Sequence, residues 1–182
     1  MKRIGLVVSA LVVGTLAFAP NAEAQTRFGI AAGIAVPTGD FGDFASSGFN
    51  VEGSVEFKPM TMPFGIRGDL SYNRFGVDVS GLDGNFTALG GALNAVFQMA
   101  GVGAAPYLIV GPTITNLDGE IEGSSGDVEG ETKIGAQGGV GVKFPLSGFT
   151  SKVEARYNTI FTEDSNTNLF IVNFGILFGG VE

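Results

Sequence analysis

The chain has 182 residues, 18 acidic against 10 basic, for a net charge of −8, and it lacks cysteine, tryptophan and histidine altogether. An acidic chain does not suit nucleic acid, whose affinity rests on Lys and Arg neutralising phosphates. Without cysteine there is no disulfide framework and no thiol chemistry. Without histidine the commonest general base, the commonest metal ligand and the Ser-His triad are missing together.

At the start of the chain Lys2 and Arg3 precede an apolar run from Ile4 to Phe18, and Ala22-Glu23-Ala24 supplies a small-x-small cleavage site. This is the pattern of a secretory signal peptide, and the run is shorter than the roughly 17–25 residues a spanning helix needs. Residues 1–24 are therefore expected to be removed, leaving one domain over 25–182. No later stretch has 18 consecutive apolar residues, so no helical span competes with the strands that follow.

Alternation of apolar with polar or tiny residues predicts eight strands, at 26–37, 48–58, 64–75, 85–99, 105–117, 131–144, 149–161 and 168–178. Successive side chains of a strand point to opposite faces. The first strand accordingly sets Gly29, Ala31, Gly33 and Ala35 on one side. The second sets Phe49, Val51, Gly53, Val55 and Phe57 against Asn50, Glu52, Ser54, Glu56 and Lys58. In the third, Phe64, Ile66, Gly68, Leu70 and Tyr72 oppose Gly65, Arg67, Asp69, Ser71 and Asn73. The fifth is apolar on both alternate sets, so its facing stays open, and Pro112 removes a ladder donor and points to a local irregularity. The eighth carries Phe170, Val172, Phe174, Ile176 and Phe178 on one face.

An even number of strands, each long enough to cross a bilayer when tilted, predicts an all-β, eight-stranded antiparallel up-and-down transmembrane barrel. Three features set the apolar face toward lipid and not toward a soluble core. The three phenylalanines of the last strand are too bulky to repeat inside a narrow barrel. The opposite faces are rich in Gly, Ala and Ser. A soluble exterior would carry scattered lysines, yet beyond residue 24 there are only Lys58, Lys133, Lys143 and Lys152.

The connections alternate in length. The odd ones, Pro37–Ser47, Gly76–Gly84, Asp118–Gly130 and Thr162–Thr167, are long and hold eleven carboxylates; the even ones, Pro59–Pro63, Ala100–Ala104 and Pro145–Gly148, are short and hold no charge. Outer-membrane barrels place short turns in the periplasm and long loops outside, so both termini are expected in the periplasm. Phe41, Phe44 and Phe86 fall near the long-loop rim, as girdle residues or interaction anchors.

Two groups of residues carry candidate chemistry. The inward set holds Glu52, Glu56, Asp69 and Glu154 with Lys58, Arg67, Lys133, Lys143, Lys152 and Arg156. Facing lipid at mid-bilayer, a basic side chain would cost roughly 2–4 kcal/mol, so these charges dictate the register. Both signs mix within single strands, which points to a salt-bridged polar core plugging the lumen more than to an ion pathway. The acidic segment Asp118, Glu120, Glu122, Asp127, Glu129 and Glu131 offers oxygen ligands, but its acids alternate at every second position and do not follow the spacing of a twelve-residue calcium loop. It reads as a solvated extracellular loop. No catalytic constellation, metal site or cofactor is expected.

A signal peptide, a first strand running from Phe28 through Gly29-Ile30-Ala31-Ala32-Gly33 to Phe41, and a closing strand ending Phe174-Gly175-Ile176-Leu177-Phe178 together resemble the small outer-membrane β-barrel superfamily of Gram-negative bacteria. That superfamily includes the opacity-type adhesins and the barrel domain of outer-membrane protein A. The resemblance covers 25–182. It implies an integral outer-membrane protein, probed from outside by an unidentified partner at most, and assembled by the barrel-insertion machinery. It further implies a monomer surrounded by outer-membrane lipid and lipopolysaccharide, with a structural, envelope-integrity or adhesion role and no catalysis; the alternative is a narrow pore for ions or small solutes. One departure is the tail: Gly179-Gly180-Val181-Glu182 follows Phe178, where members typically end on an aromatic residue.

Overall fold

The computed structural model describes residues 25–39, 42, 45–59, 62–79, 82–101, 103–121, 128–162 and 166–179. The expected signal segment, the tail past Gly179, and Phe41, Phe44, Glu122 and Asp127 lie outside these. Eight strands follow in order: β1 (Gln25–Thr38), β2 (Gly48–Lys58), β3 (Gly65–Val79), β4 (Leu82–Gln98), β5 (Ala105–Ile121), β6 (Val128–Leu146), β7 (Phe149–Ile160) and β8 (Thr167–Phe178). Each pairs antiparallel with the next, and β8 returns to β1 through Phe28↔Phe178 and its successors. Closure leaves no strand edge around the wall, the condition for crossing lipid with strands.

The wall is taller on one side. Pairing of β3 with β4 continues to Val79↔Leu82, and β5 with β6 to Gly119↔Val128 across a register shift after Leu117. Of the expected connections 76–84 and 118–130, residues 76–79, 82–84, 118–121 and 128–130 are therefore strand. Asp and Gly in these stretches read as turn residues, but ladder bonding to a neighbour already in register extends the strand through them. Asp118 and Glu120 consequently stand on β5, and Glu129 and Glu131 on β6.

Alternation sorts the side chains as the two-residue period requires. Phe170, Phe174 and Phe178 are exposed on the outer face of β8, with Val172 and Ile176 half-buried beside them, while Leu169, Ile171, Asn173 and Leu177 are buried within. The fifth strand takes one facing: Tyr107, Ile109, Thr113 and Thr115 turn inward, and Leu108, Val110 and Ile114 are exposed. Tyr107 fits because its cross-strand partner is Gly141, where a Cβ would run into the phenol ring. Opposite Gly111 and Pro112 the β4–β5 ladder lapses, then resumes in unchanged register at Ala92↔Thr113.

The interior is layered. Toward the long hairpins, Ala35, Phe75, Ala88, Ile160, Leu169 and Ile171 form a buried apolar cluster against which Phe86 and Leu117 pack. Phe86 thus turns into the lumen and is not a rim anchor. A second cluster, Val96, Tyr107 and Ile109, lies toward the short turns. Between them sit the charges.

Candidate functional site

The candidate site is the charged middle of the lumen. Four acids, Glu52, Glu56, Asp69 and Glu154, and four bases, Arg67, Lys143, Lys152 and Arg156, are buried there, contributed by β2, β3, β6 and β7. Arg67 grips Glu154 with both terminal nitrogens, Nη1 to Oε2 at 2.7 Å and Nη2 to Oε1 at 2.9 Å, and its Nε lies 2.9 Å from Asp69 Oδ1. Such a fork matches the planar carboxylate with two parallel bonds and is among the stronger ion-pair geometries. Arg156 reaches Asp69 Oδ2 at 3.2 Å, contacts Glu52 Oε2, and brings its Nε to 3.1 Å from Glu154 Oε1. Lys152 completes the group on Glu52 Oε1 at 3.0 Å.

These six residues, three of each sign, form one connected cluster. The pair Lys143–Glu56, at 2.5 Å, stands toward the short turns. Tyr107 joins the two: its ring lies 5.0 Å from Lys143 Nζ, and its hydroxyl donates to Glu154 Oε2 at 2.5 Å. A polar surround completes the set. Asn94 donates to Asp69 Oδ2 at 2.9 Å and accepts from Gln137 at 2.9 Å, while Asn50 donates to Asn73 at 2.7 Å and accepts from Asn173. Desolvating a charge costs several kcal/mol unless geometry and further hydrogen bonds return it; here every buried acid meets a buried base, and the eight charges sum to zero.

Two of the expected lumen bases stand apart from the cluster. Lys133 faces inward but pairs with Glu131, two residues away on the same face of β6, and reaches none of Glu52, Glu56, Asp69 or Glu154. It lies opposite Thr115, well toward the long hairpins. Lys58 is exposed at the end of β2. Alternation gives a side chain's face but not its height along the barrel, and height separates these two from the rest.

Sequence reasoning missed Tyr107, Asn94 and Gln137 as members of the network, along with half-buried Arg27 at an inward position of β1. The signal for Asn94 and Gln137 was present as a polar residue at an inward position; for Tyr107 it was masked by a strand apolar on both faces. Of the acidic segment, Asp118 and Glu131 are exposed. Among the described residues no group of three or more carboxylates is arranged to hold a metal ion.

A closed eight-stranded antiparallel wall has counterparts among known proteins. The family model described as "Outer membrane protein beta-barrel domain" matches residues 6–178. The chain belongs to this family. An outer-membrane barrel by family, it is also similar to solved structures. Neisserial surface protein A shares 18% identity over 86% of this chain and 99% of its own, with a TM-score of 0.64. A major outer membrane protein from Thermus thermophilus shares 12% identity over 87% and 100%, with a TM-score of 0.63. At these identities the likeness bears on the fold alone. No curated protein matches the chain.

Proposed function

We propose that this outer-membrane barrel is a sealed, non-catalytic scaffold whose work is done at its surface, in envelope integrity or adhesion. One observation carries the reading: the lumen's eight buried charges are all engaged with one another, and an apolar layer from Ala35 to Ile171 lies across the lumen toward the long hairpins. A lumen filled in this way offers neither a continuous water path nor a free carboxylate for acid–base chemistry.

Both termini stand in the periplasm in this reading, and the long hairpins face outward, where their carboxylates set up a negative field that draws cations and disfavours anionic solutes. Loops and hairpins on a rigid wall are where such proteins meet their surroundings. The barrel works as a monomer within outer-membrane lipid and lipopolysaccharide, delivered by the barrel-assembly machinery. Purified protein in a planar lipid bilayer is expected to show no steady single-channel steps. A stable, wide conductance would overturn the scaffold reading and establish the narrow pore in its place.

A further inference from the structure

Among the described residues, and apart from the register shift after Leu117, every ladder of the wall but one runs unbroken. Between β4 and β5 the pairs Leu93↔Pro112 and Asn94↔Gly111 are missing, flanked in a common register by Ala92↔Thr113 and Ala95↔Val110. On its other side β5 stays paired through the same residues, as Gly111↔Gln137 and Pro112↔Ala136. Successive residues of an antiparallel strand bond alternately to one neighbour and the other. The donor that proline lacks is therefore one owed to β4, and the carbonyl facing it is that of Leu93. Leu93, Val110 and Pro112 are exposed on the lipid face, where no water replaces a lost backbone bond.

On the lumen side of this seam, side chains bridge it. Gln137 on β6 donates from Nε2 to Asn94 Oδ1 on β4 at 2.9 Å, and Asn94 donates from Nδ2 to Asp69 Oδ2 on β3 at 2.9 Å. The bridge passes over Gly111, and glycine is what leaves it room: a Cβ there would stand 2.7 Å from Asn94 Oδ1 and 2.1 Å from Leu93 O. All three polar residues are buried. Asp69 is held in turn by Arg67 and Arg156, so the bridge spans the strand whose ladder is broken and fastens its two neighbours to the ion cluster.

We propose that Asn94 and Gln137 form a lumen-side strut that holds the wall shut at the β4–β5 seam, and that this seam is where the barrel opens first. Local opening begins where backbone bonds are fewest. Parting of the seam draws Asn94 away from Asp69, so opening of the wall and loosening of the ion cluster are one event. This goes beyond the scaffold reading and does not depend on whether the barrel conducts.

Hydrogen–deuterium exchange of the full chain in phospholipid nanodiscs reads such opening amide by amide. In the unaltered protein the amides of Leu93, Ala95 and Val110 are expected to exchange about tenfold faster than those of Val153 and Ala155 on β7. Gln137→Leu leaves every charge and the Asp69–Asn94 bond in place, and is expected to speed the three seam amides about tenfold again, with the two on β7 unchanged. Pro112→Val supplies an N–H toward Leu93 O, and is expected to slow the seam to the rate of β7 and to cancel the effect of Gln137→Leu. Seam amides no faster than those of β7 in the unaltered protein, acceleration by Gln137→Leu spread evenly around the wall, or an unchanged seam in Pro112→Val would each overturn the proposal. If Gln137→Leu does not fold, the unaltered protein and Pro112→Val decide between themselves.

Discussion

Glu154 accepts from Arg67 and Tyr107 and lies in ion-pair contact with Arg156 within one buried cluster, and removing it would leave two guanidinium groups facing fewer anions in a space with little water. Glu154→Ala is therefore expected to cost roughly 3–5 kcal/mol, the scale for stripping one partner from a buried pair, measured by urea unfolding in lipid vesicles. Tyr107→Phe deletes one hydrogen bond to a charged group and leaves the Arg67 fork in place, so about 1.5–3 kcal/mol is expected. Equal stability of Glu154→Ala and the unaltered protein would show that water, not pairing, sustains the lumen. The inward parity of Glu52, Arg67, Asp69, Lys152, Glu154 and Arg156 could be read from alternation, because each opposes an apolar neighbour. Their pairing could not. Arg67 meets Glu154 across 87 residues and Arg156 meets Glu52 across 104, and only closure of the wall brings β7 over to face β2 and β3.

At the scale of the strand, the count, the antiparallel order and the lipid face were legible because the two-residue period runs without a slip through β2, β3 and β8. Strand ends were less so. Asp78, Asp83 and Asp118 sit in stretches whose composition says turn while their ladder partners say strand. The facing of β5 was illegible for a related reason: an apolar inner face is disguised when the outer face is apolar too, and what decides it is space on the neighbouring strand. Gly141 supplies that space for Tyr107, whereas Gly138, on the outer face of β6, has its nearest neighbour at 3.8 Å. Gly141→Val is thus expected to destabilise by about 1–3 kcal/mol, as overpacking does, and to displace the phenol from Glu154. Gly138→Val, placing a methyl-bearing side chain toward lipid, is expected to be nearly neutral. Thermal unfolding in detergent, read by circular dichroism, compares the two; equal losses would mean that Tyr107 has room to move and that the glycine is not what seats it.

For the molecule as a whole, charge and height are distributed unevenly between the two ends. β3 to β6 rise past the rest of the wall and carry Asp118, Glu120, Glu129 and Glu131 on their upper parts, while the opposite end is uncharged in all three turns. An acidic end cannot be drawn through a bilayer cheaply, since each carboxylate would shed its hydration on the way, whereas short apolar turns can follow the strands in. Insertion from the periplasm needs the acidic hairpins to cross, and barrels of this kind nonetheless carry their long loops outside. Epitope tags at Ser124 and at Met60 in intact cells are expected to give labelling and protease cleavage at Ser124, with Met60 protected until the outer membrane is breached. Labelling at Met60 with Ser124 protected would turn the barrel over. The acidic hairpins would then face the periplasm, and the case for a surface role would lose its basis even though the fold stood unchanged.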